Sequence, residues 1–303
     1  RWDSVAAARA GRSALVLNAD DPAIADLGRE RPGVTWYGVE DDGVALPEMQ
    51  HASDAKHCRN CGHVYEYAAV YLGHLGRYAC PSCGRARPRP DVAAERVELR
   101  GIHGATVDIR TPVGRATVGL PLPGLYNVYN ALGATALGLA LGVELPTIVS
   151  ALESVSAAFG RAETVELAGR AMSILLVKNP AGAHEVLRTL VLEPGDHDVL
   201  AVLNDNTADG RDVSWVWDAD WEVLAGRVRR VTCAGTRAAE MALRLKYAGV
   251  AEDRLYVVPE LPAALDAALA DGTGPLFALP TYTALLALQG LLADRGVVRR
   301  YWQ

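Results

Sequence analysis

From residue 171 to residue 294 the sequence alternates between short apolar runs and stretches with helical periodicity. The five pairs, each given as strand and then helix, are 171–177 with 181–192, 197–203 with 215–225, 230–235 with 237–248, 254–258 with 261–270, and 275–279 with 282–294. Such alternation predicts a parallel sheet with helices on both faces. No G-x-G-x-x-G follows any of these strands, so a dinucleotide site of the Rossmann type is not expected.

In a sheet of this kind, ligands bind at the carboxyl ends of the strands. The residues that follow the five predicted strands are Lys178, Asn179, Pro180, Asn204, Asp205, Asn206, Gly235, Thr236, Arg237, Pro259, Glu260, Pro280, Thr281 and Tyr282. We therefore expect a site at this edge. Residues 204–222, "NDNTADGRDVSWVWDADWE", lie on it and are called the tryptophan segment, because they hold three tryptophans among six carboxylates.

The tryptophan segment begins like a calcium-binding loop, but the pattern fails. Its third position is Thr207, and its twelfth, where a glutamate is needed, is Val216. A second interpretation is that Asp212 or Ser214 caps a helix that carries the tryptophans. Tryptophans two positions apart on a helix face different sides, so at least one should be exposed. Exposed aromatic side chains beside polar ones are typical of a partner interface.

Residues 161–303 are expected to form one domain, and the first half of the chain, residues 1–160, predicts a different domain before it. Its expected elements are a strand and short helix within 13–22, a strand at 34–39, antiparallel strands within 94–119, a helix at 126–142 and a helix after Pro146. Helix 126–142 is apolar or small on nearly all sides, so we expect it to be buried.

Four of the five cysteines form two C-x2-C pairs, Cys58 with Cys61 and Cys80 with Cys83. Each pair is followed by a glycine, which permits the tight turn of a metal-binding knuckle. Four thiolates close a tetrahedral zinc site without an open position, so the predicted metal is structural. Residues 51–91 are thus expected to form a zinc ribbon inserted between strands. Four free cysteines are the disfavoured alternative.

Other polar residues lie where a nucleotide can bind, and each has a simpler interpretation. Asn127 and Asn130, one turn apart at a helix start, bracket a planar ring or hold a phosphate, or else cap the helix. Arg161 reaches a nucleotide or forms a surface ion pair, and the ion pair is favoured. Lys178 and the free N–H groups of the next helix suit an anion, whereas Pro180 simply suits a helix start.

Charge and hydropathy exclude other classes. The net charge of −6 argues against a general nucleic-acid binder, despite "RARPRP" at 85–90. No apolar run reaches the roughly 18 residues that a transmembrane helix needs. The sequence begins at Arg1 without an initiator methionine, so we expect that the natural N-terminus is missing.

Several motifs occur together in a fixed order. They are "NADDP" at 18–22, the four-cysteine insertion, "GLYNVYNALGA" at 124–134, "GRAE" at 160–163, "KNPAG" at 178–182, "NDNTADGRDVSW" at 204–215 and "GTRAAEMALRLKYAG" at 235–249. Over essentially the whole chain this set resembles the MurT family, the Mur-ligase-like subunits of bacterial lipid II isoglutaminyl synthase. The resemblance implies an α/β fold: part of a Mur-ligase central domain bearing the zinc ribbon, then a Rossmann-like parallel-sheet C-terminal domain.

The resemblance also implies a reaction. It is the ATP- and Mg²⁺-dependent amidation of the D-glutamate α-carboxylate of lipid II to D-isoglutamine, carried out in the cytoplasm at the inner face of the membrane. Ammonia would come from a GatD-type glutaminase in a heterodimer or larger complex, and by motif Asp212 would supply the acidic third member of the partner's Cys-His pair. By motif, the nucleotide, phosphate or substrate contacts would be Asn127, Asn130, Arg161, Lys178 and Asn179.

Two departures from the family pattern stand out. No G-x-x-x-x-G-K-[ST] phosphate loop occurs, so this polypeptide alone is not expected to catalyse the ATP-dependent step. Many Mur ligases carry an acid shortly before the proline that matches Pro180, and here the sequence is "ILLVKNP". Two alternatives remain: another Mur-type or folylpolyglutamate-type ligase, and a zinc-ribbon binding module that reads RNA. The "DGRDVSW" motif disfavours the first and the negative charge the second.

Overall fold

The computed structural model describes residues 14–49, 55–155, 161–270, 272 and 274–299, and for 161 and 162 it describes the backbone alone. Contacts divide the chain into two compact units, residues 1–155 and 156–303.

The first unit is built on a five-stranded mixed sheet. Its elements are β1 (Leu15–Asn18), α1 (Pro22–Ala25), β2 (Val34–Val39), β3 (Glu66–Leu72), β4 (Leu75–Ala79), β5 (Val92–Leu99), β6 (Ala105–Thr111), β7 (Gly114–Leu120), α2 (Leu125–Ala140) and α3 (Leu145–Glu153). The strand order is β1-β2-β5-β6-β7, with β1, β2 and β5 parallel. The pairs β5–β6 and β6–β7 are antiparallel, as the alternating sequence predicts.

Helix α2 packs on this sheet with one face. Leu125, Val128 and Leu132 are fully buried against the strands. Leu137, by contrast, is 52% exposed and Leu141, just after the helix, 74% exposed. The expectation that this helix is buried on all sides is therefore wrong within the first unit, because the sheet covers one face of its first three turns.

Strands β3 and β4 form a separate antiparallel hairpin between β2 and β5. A buried cluster holds this insertion against the end of the main sheet. The Asp20 carboxylate, fully buried after β1, accepts hydrogen bonds from Arg87 Nε (2.5 Å), Tyr129 OH (2.6 Å) and Val39 N–H (2.8 Å). Arg87 follows the second cysteine pair, so one carboxylate joins the insertion, the sheet and helix α2.

The second unit contains the predicted parallel sheet. Its elements are β8 (Arg161–Leu167), β9 (Arg170–Leu175), α4 (Pro180–Val191), β10 (His197–Val202), β11 (Val228–Ala234), α5 (Ala238–Tyr247), β12 (Leu255–Val257), α6 (Leu261–Leu269), β13 (Leu276–Pro280) and α7 (Tyr282–Asp294). The strand order is β12-β11-β10-β13-β9-β8. The first five strands are parallel, which confirms the prediction. Strand β8, which the sequence did not reveal, pairs antiparallel to β9.

Alternation along the strands directs side chains to two cores. Leu200 and Val202 of β10 lie in a cluster with α6 and α7, through residues such as Leu265 and Leu288. The opposite face receives α4, whose Leu190 carbonyl lies 3.0 Å from His197 Nε2. Helix α5 packs along β11 and β12. Within the described residues, no helix is both long and apolar enough to cross a membrane.

Tyr129→Phe tests the buried cluster. It removes one of three donors to a buried carboxylate, so we expect the free energy of unfolding to fall by about 1–3 kcal/mol. Thermal and urea denaturation measure the change. Tyr247→Phe, at a position 70% exposed, is the matched control and should leave stability unchanged. Equal stability of the two variants would contradict the role given to Asp20.

Candidate functional site

The carboxyl ends of β10, β11 and β13 meet at the side-chain amide of Asn204. Asn204 Nδ2 donates to Thr283 Oγ1 (3.0 Å), and Asn204 Oδ1 accepts from Thr236 N–H (3.0 Å). The Asn204 N–H donates to Thr281 Oγ1 (3.1 Å). One residue after β10 therefore links the loops that follow both neighbouring strands.

Gly235 makes this approach possible. Its φ is +91°, a conformation that costs a glycine little. A Cβ atom at this position would lie 2.5 Å from the Leu203 carbonyl oxygen and 2.6 Å from Asn204 Oδ1. A larger residue at 235 would thus break the contact between β10 and β11 at this edge.

The next residue, Asp205, is committed to the β11 side. Its Oδ1 accepts from Thr236 Oγ1 (2.8 Å) and its Oδ2 from Arg237 Nε (2.9 Å). These bonds, first that of the Thr236 hydroxyl and then that of Arg237, hold the pKa of Asp205 below its ordinary value. Asp205 is ionised and paired, so it fixes the start of the tryptophan segment.

Asp209 is committed to the β13 side. Its Oδ1 accepts from the Thr283 N–H (2.7 Å), and its Oδ2 accepts from Thr283 Oγ1 (2.5 Å). Thr281, the N-cap of α7, makes no side-chain capping bond of its own. A carboxylate from a distant loop therefore caps α7, at the end where the helix dipole favours negative charge.

The second half of the tryptophan segment is not the α-helix predicted for 215–225. It forms two short 3₁₀ helices, Ser214–Trp217 and Trp221–Leu224. Buried Arg244 of α5 donates to the carbonyl oxygens of Val216 (3.1 Å) and Ala219 (2.7 Å), and Trp221 Nε1 also donates to Val216 O (3.1 Å). These side-chain donors bind carbonyl oxygens that a continuous α-helix would pair with its own backbone N–H groups. The helix prediction is therefore wrong because of contacts from side chains outside the local sequence pattern, chiefly Arg244.

The three tryptophans lie in different environments, as their spacing predicts. Trp221 is 1% exposed, Trp215 is half-buried and Trp217 is 49% exposed. The Trp217 ring lies 5.8 Å from that of Tyr247 on α5, which is 70% exposed. Leu243, one turn before Tyr247, is also exposed. Trp217, Leu243 and Tyr247 make an apolar patch on the surface of the second unit.

The remaining acids of the segment divide into two groups. Asp220 Oδ2 lies 3.2 Å from His184 Nε2, and Glu222 accepts from Arg244 (2.9 Å). Asp212 is exposed and accepts from the N–H of Ser214 (2.8 Å). Bonds from the Ser214 hydroxyl and N–H hold the pKa of Asp212 below its ordinary value, so it is ionised at neutral pH.

Asp212 is therefore an ionised carboxylate without a cationic partner in the part of the chain that the structure describes. Asp218, also exposed, has no cationic partner there either. Asp212 differs from Asp218 in the points that bracket it, because Asp218 lies between Val216 and Ala219, both bound to Arg244, whereas Asp212 lies between contacts to two different helices. Asp209, bound to α7, is three residues before it, and Val216, bound to Arg244, is four residues after it.

The four paired cysteines come together in the first unit. Their sulfur atoms all lie within 4.8 Å of one another, with distances of 3.6 Å from Cys58 to Cys83 and 3.4 Å from Cys61 to Cys80. A zinc tetrahedron with bonds of about 2.3 Å has S–S edges of about 3.8 Å. The donor set and its spacing match a structural zinc site.

The two cysteine knuckles have the same backbone geometry. Gly62 N–H donates to Cys58 O (2.7 Å), and Gly84 N–H donates to Cys80 O (3.0 Å). Both glycines adopt positive φ, 79° and 71°. The fifth cysteine, Cys233, is buried in β11, and burial raises the pKa of its thiol to about 12, so it is an unreactive core residue.

The predicted nucleotide contacts fall on both units. Asn130 Nδ2 donates to Asn127 Oδ1 (3.2 Å), so these two amides are adjacent at the start of α2. Lys178 is exposed, and Asn179 caps α4 by accepting from Gly182 N–H (2.8 Å). Arg161 begins β8, and its side chain lies outside the described residues.

Comparison with known proteins gives a consistent result. Residues 176–285 match the family model described as MurT ligase C-terminal. The chain is 30% identical over 288 residues to the lipid II isoglutaminyl synthase (glutamine-hydrolyzing) subunit MurT of Streptococcus pneumoniae, covering 94% of this chain and 63% of that protein. It is 31% identical to the Staphylococcus aureus MurT subunit, covering 89% of this chain and 60% of that protein.

The resemblance to the MurT family is confirmed. The chain spans about three fifths of the length of the curated MurT relatives it matches. A pseudomurein peptide ligase type C from Methanothermus fervidus superposes with a TM-score of 0.68 at 22% identity, covering 93% of this chain and 56% of that protein. That likeness shows a Mur-ligase-like α/β fold.

The MurT match contains every residue described above as holding the tryptophan segment, from His184 to Thr283. Sequence reasoning placed Asp212 on the correct edge but left Asp205 and Asp209 without a role, and it missed Thr283. One signal was present: two carboxylates and three threonines follow neighbouring strands, and parallel strands bring such groups together.

Arg244→Met tests how the tryptophan segment is held. The variant loses three hydrogen bonds from a buried guanidinium, and we expect the free energy of unfolding to fall by about 2–4 kcal/mol. Tryptophan emission should shift to longer wavelength as Trp217 and Trp221 gain solvent. Arg295→Met, which removes an exposed ion pair with Asp266, should cost less than about 1 kcal/mol. An unchanged emission spectrum would show that Arg244 does not order the segment.

Proposed function

We propose that this chain is the synthase part of a lipid II isoglutaminyl synthase, working with a GatD-type glutaminase. The α-carboxylate of D-glutamate in lipid II attacks the γ-phosphorus of ATP, giving an acyl phosphate and ADP. Ammonia attacks the acyl carbon and phosphate leaves, which yields D-isoglutamine. Activation is needed because a carboxylate is a poor electrophile. The substrate is a lipid, so the reaction takes place at the inner face of the bacterial membrane.

The observation that carries the proposal is the state of Asp212. It is exposed, ionised and unpaired by any cation in the described chain, whereas Asp205, Asp220 and Glu222 all have partners within the fold. A glutaminase that holds a Cys and a His needs an acid to orient the His and stabilise its cationic form. Asp212 offers that acid to a second chain. The relatives are named as subunits of a glutamine-hydrolyzing enzyme, which supports this assignment.

The apolar patch gives the partner a place to dock. Both of its aromatic side chains are exposed: Trp217 lies five positions after Asp212, and Tyr247 lies on the adjoining helix α5. Tryptophan and tyrosine often carry most of the binding energy at protein interfaces. We assign this patch, with Leu243, to the contact surface for the glutaminase, next to the acid that completes its catalytic residues.

Nucleotide or substrate contacts are proposed for each domain by itself, 1–160 as a partial Mur-ligase central domain and 161–303 as the C-terminal domain. The paired amides of Asn127 and Asn130 suit an adenine edge, and Arg161, Lys178 and Asn179 are assigned to the nucleotide or substrate. Mg²⁺ would neutralise phosphate charge during transfer. The G-x-x-x-x-G-K-[ST] phosphate-binding motif does not occur in this sequence.

The cysteine cluster is proposed to hold a structural Zn²⁺ ion. Cys58, Cys61, Cys80 and Cys83 supply four thiolates at zinc spacing, and no position remains for a substrate. The metal would fix the two knuckles and thereby the β3–β4 insertion. It takes no part in the amidation.

Asp212→Asn in the complex of the complete subunit with its glutaminase tests the function. Glutamate release from glutamine should fall by about 10²-fold or more, because the amide cannot stabilise a cationic His. The complex should assemble as before, since the side chain is exposed. Asp218→Asn changes a neighbouring unpaired acid and should retain full turnover. Normal glutaminase turnover in the Asp212 variant would refute the assignment.

Metal analysis tests the zinc proposal. The purified chain should contain about one zinc per molecule, and cobalt substitution should give thiolate-to-metal absorption. Cys58→Ser should lose both signals, whereas Cys233→Ser, the matched control at the buried fifth cysteine, should keep them. A metal-free chain without a cobalt signal would remove zinc from the proposal.

A further inference from the structure

Thr283, on the first turn of α7, fixes the tryptophan segment on the β13 side, as Thr236 and Arg237 fix it on the β11 side. A threonine hydroxyl has one hydrogen and two lone pairs. Here the hydrogen goes to Asp209 Oδ2, and Oγ1 is within hydrogen-bond distance of both Asn204 Nδ2 (3.0 Å) and Asn206 Nδ2 (2.8 Å). All three capacities of the hydroxyl are used. The Thr283 N–H donates to the other oxygen of the same Asp209 carboxylate (2.7 Å).

This arrangement sets where Asp209 lies. Its carboxylate receives two donors from one residue, and hydrogen bonds to an ionised group are stronger than neutral ones. The backbone closes the turn as well, since the Asp209 N–H and the Gly210 N–H both donate to Asn206 O (2.9 and 3.1 Å). Gly210 has a φ of +92°, which redirects the chain toward Asp212.

Asp212 takes its position from this turn. Three residues of extended chain span at most about 10 Å, so a shift of Asp209 moves Asp212. The Asp212 side chain itself bonds to Ser214, two residues away, and that bond fixes its rotation without fixing its place against the sheet. Its place is set by Asp209 on one side and by Val216, bound to Arg244, on the other.

We infer that Thr283 and Asp209 are positioning residues for the glutaminase reaction, holding the Asp212 carboxylate where the partner's histidine meets it. The inference rests on the proposed function of Asp212. Misplacement of a catalytic group by about 1 Å can cost on the order of 10²-fold in rate. Glutamine binds to the partner chain, so the loss falls on kcat and leaves the KM for glutamine unchanged.

The test is Thr283→Val in the complete subunit, assembled with its glutaminase and assayed by glutamate release without ATP. Valine keeps the shape and the N–H bond to Asp209 but removes the hydroxyl. We expect kcat to fall by about 10-fold or more with KM within about 2-fold of the wild type. Thr283→Ser restores the hydroxyl and should recover most of the rate. Asp209→Asn, which replaces the charged acceptor, should resemble the valine variant.

A double variant separates positioning from general stability. If Thr283 acts through Asp212, then Thr283→Val should add less than about 2-fold to the loss in an Asp212→Asn background, because coupled residues are not additive. Thr117→Val removes a threonine–aspartate bond on the first unit (2.7 Å to Asp108) and is the control for the substitution itself. It should retain full activity.

Three results would overturn the inference: wild-type kcat for Thr283→Val in an assembled complex, the same loss in the presence and absence of Asp212, or failure of the valine variant to bind the glutaminase. Loss of activity in Asp212→Asn together with full activity in Thr283→Val would reject the positioning role and leave the proposed function standing. Full activity in Asp212→Asn would reject the function itself.

Discussion

The side-chain amide of Asn204 is the contact on which the candidate site depends. Backbone hydrogen bonds join only the starts of the loops after these strands, as from Arg237 N–H to Leu203 O (2.9 Å) and from Thr281 N–H to Val202 O (2.9 Å), and side chains extend the contact. Asn204 joins the loop after β11 through Thr236 and the start of α7 through Thr283. Both amide groups are used, and Gly235 leaves room for them. A residue that lacked either the donor or the acceptor would remove one of these contacts and leave the neighbouring loop to the bonds of Asp205 or Asp209.

Charge within the tryptophan segment is distributed by the same logic. Six carboxylates close together repel one another unless cations or helix ends balance them. Arg237, Arg244 and His184 lie beside Asp205, Glu222 and Asp220, and the start of α7 receives Asp209. These partners come from α4, α5, α7 and the turn before α5, so the negative segment is bound on several sides. Asp212 and Asp218 are left without a cationic partner among the described residues, and of the two only Asp212 lies between contacts to two different helices, α7 and α5.

The sequence predicted the sheet well and the tryptophan segment poorly, for reasons that lie in the interactions concerned. Local periodicity encodes the apolar strands β9 to β13 and the helices α4 to α7. The bounds predicted for them lie within about two residues of those in the structure. The 3₁₀ helices depend on Arg244, which lies more than twenty residues later in the chain, and no local pattern reports it. The role of Asp209 likewise depends on Thr283, 74 residues away. The spacing of the cysteines alone was sufficient to predict that the four thiols come together, because each knuckle is closed by its own backbone hydrogen bond.

In the first unit, too, contacts between residues distant in sequence hold the candidate residues, which form two groups. No pattern in the sequence links the cysteine insertion to the paired asparagines of α2. In the structure, Arg87, four residues after Cys83, binds the Asp20 carboxylate that also receives Tyr129, which lies between Asn127 and Asn130. Removing one member of a buried ion pair costs about 3–5 kcal/mol, because the other charge is left without a partner. The second knuckle is thus held in place by the same carboxylate as the first turns of α2. The buried Asp20 carboxylate therefore helps to hold both the cysteine insertion and the side-chain amides of Asn127 and Asn130 in place.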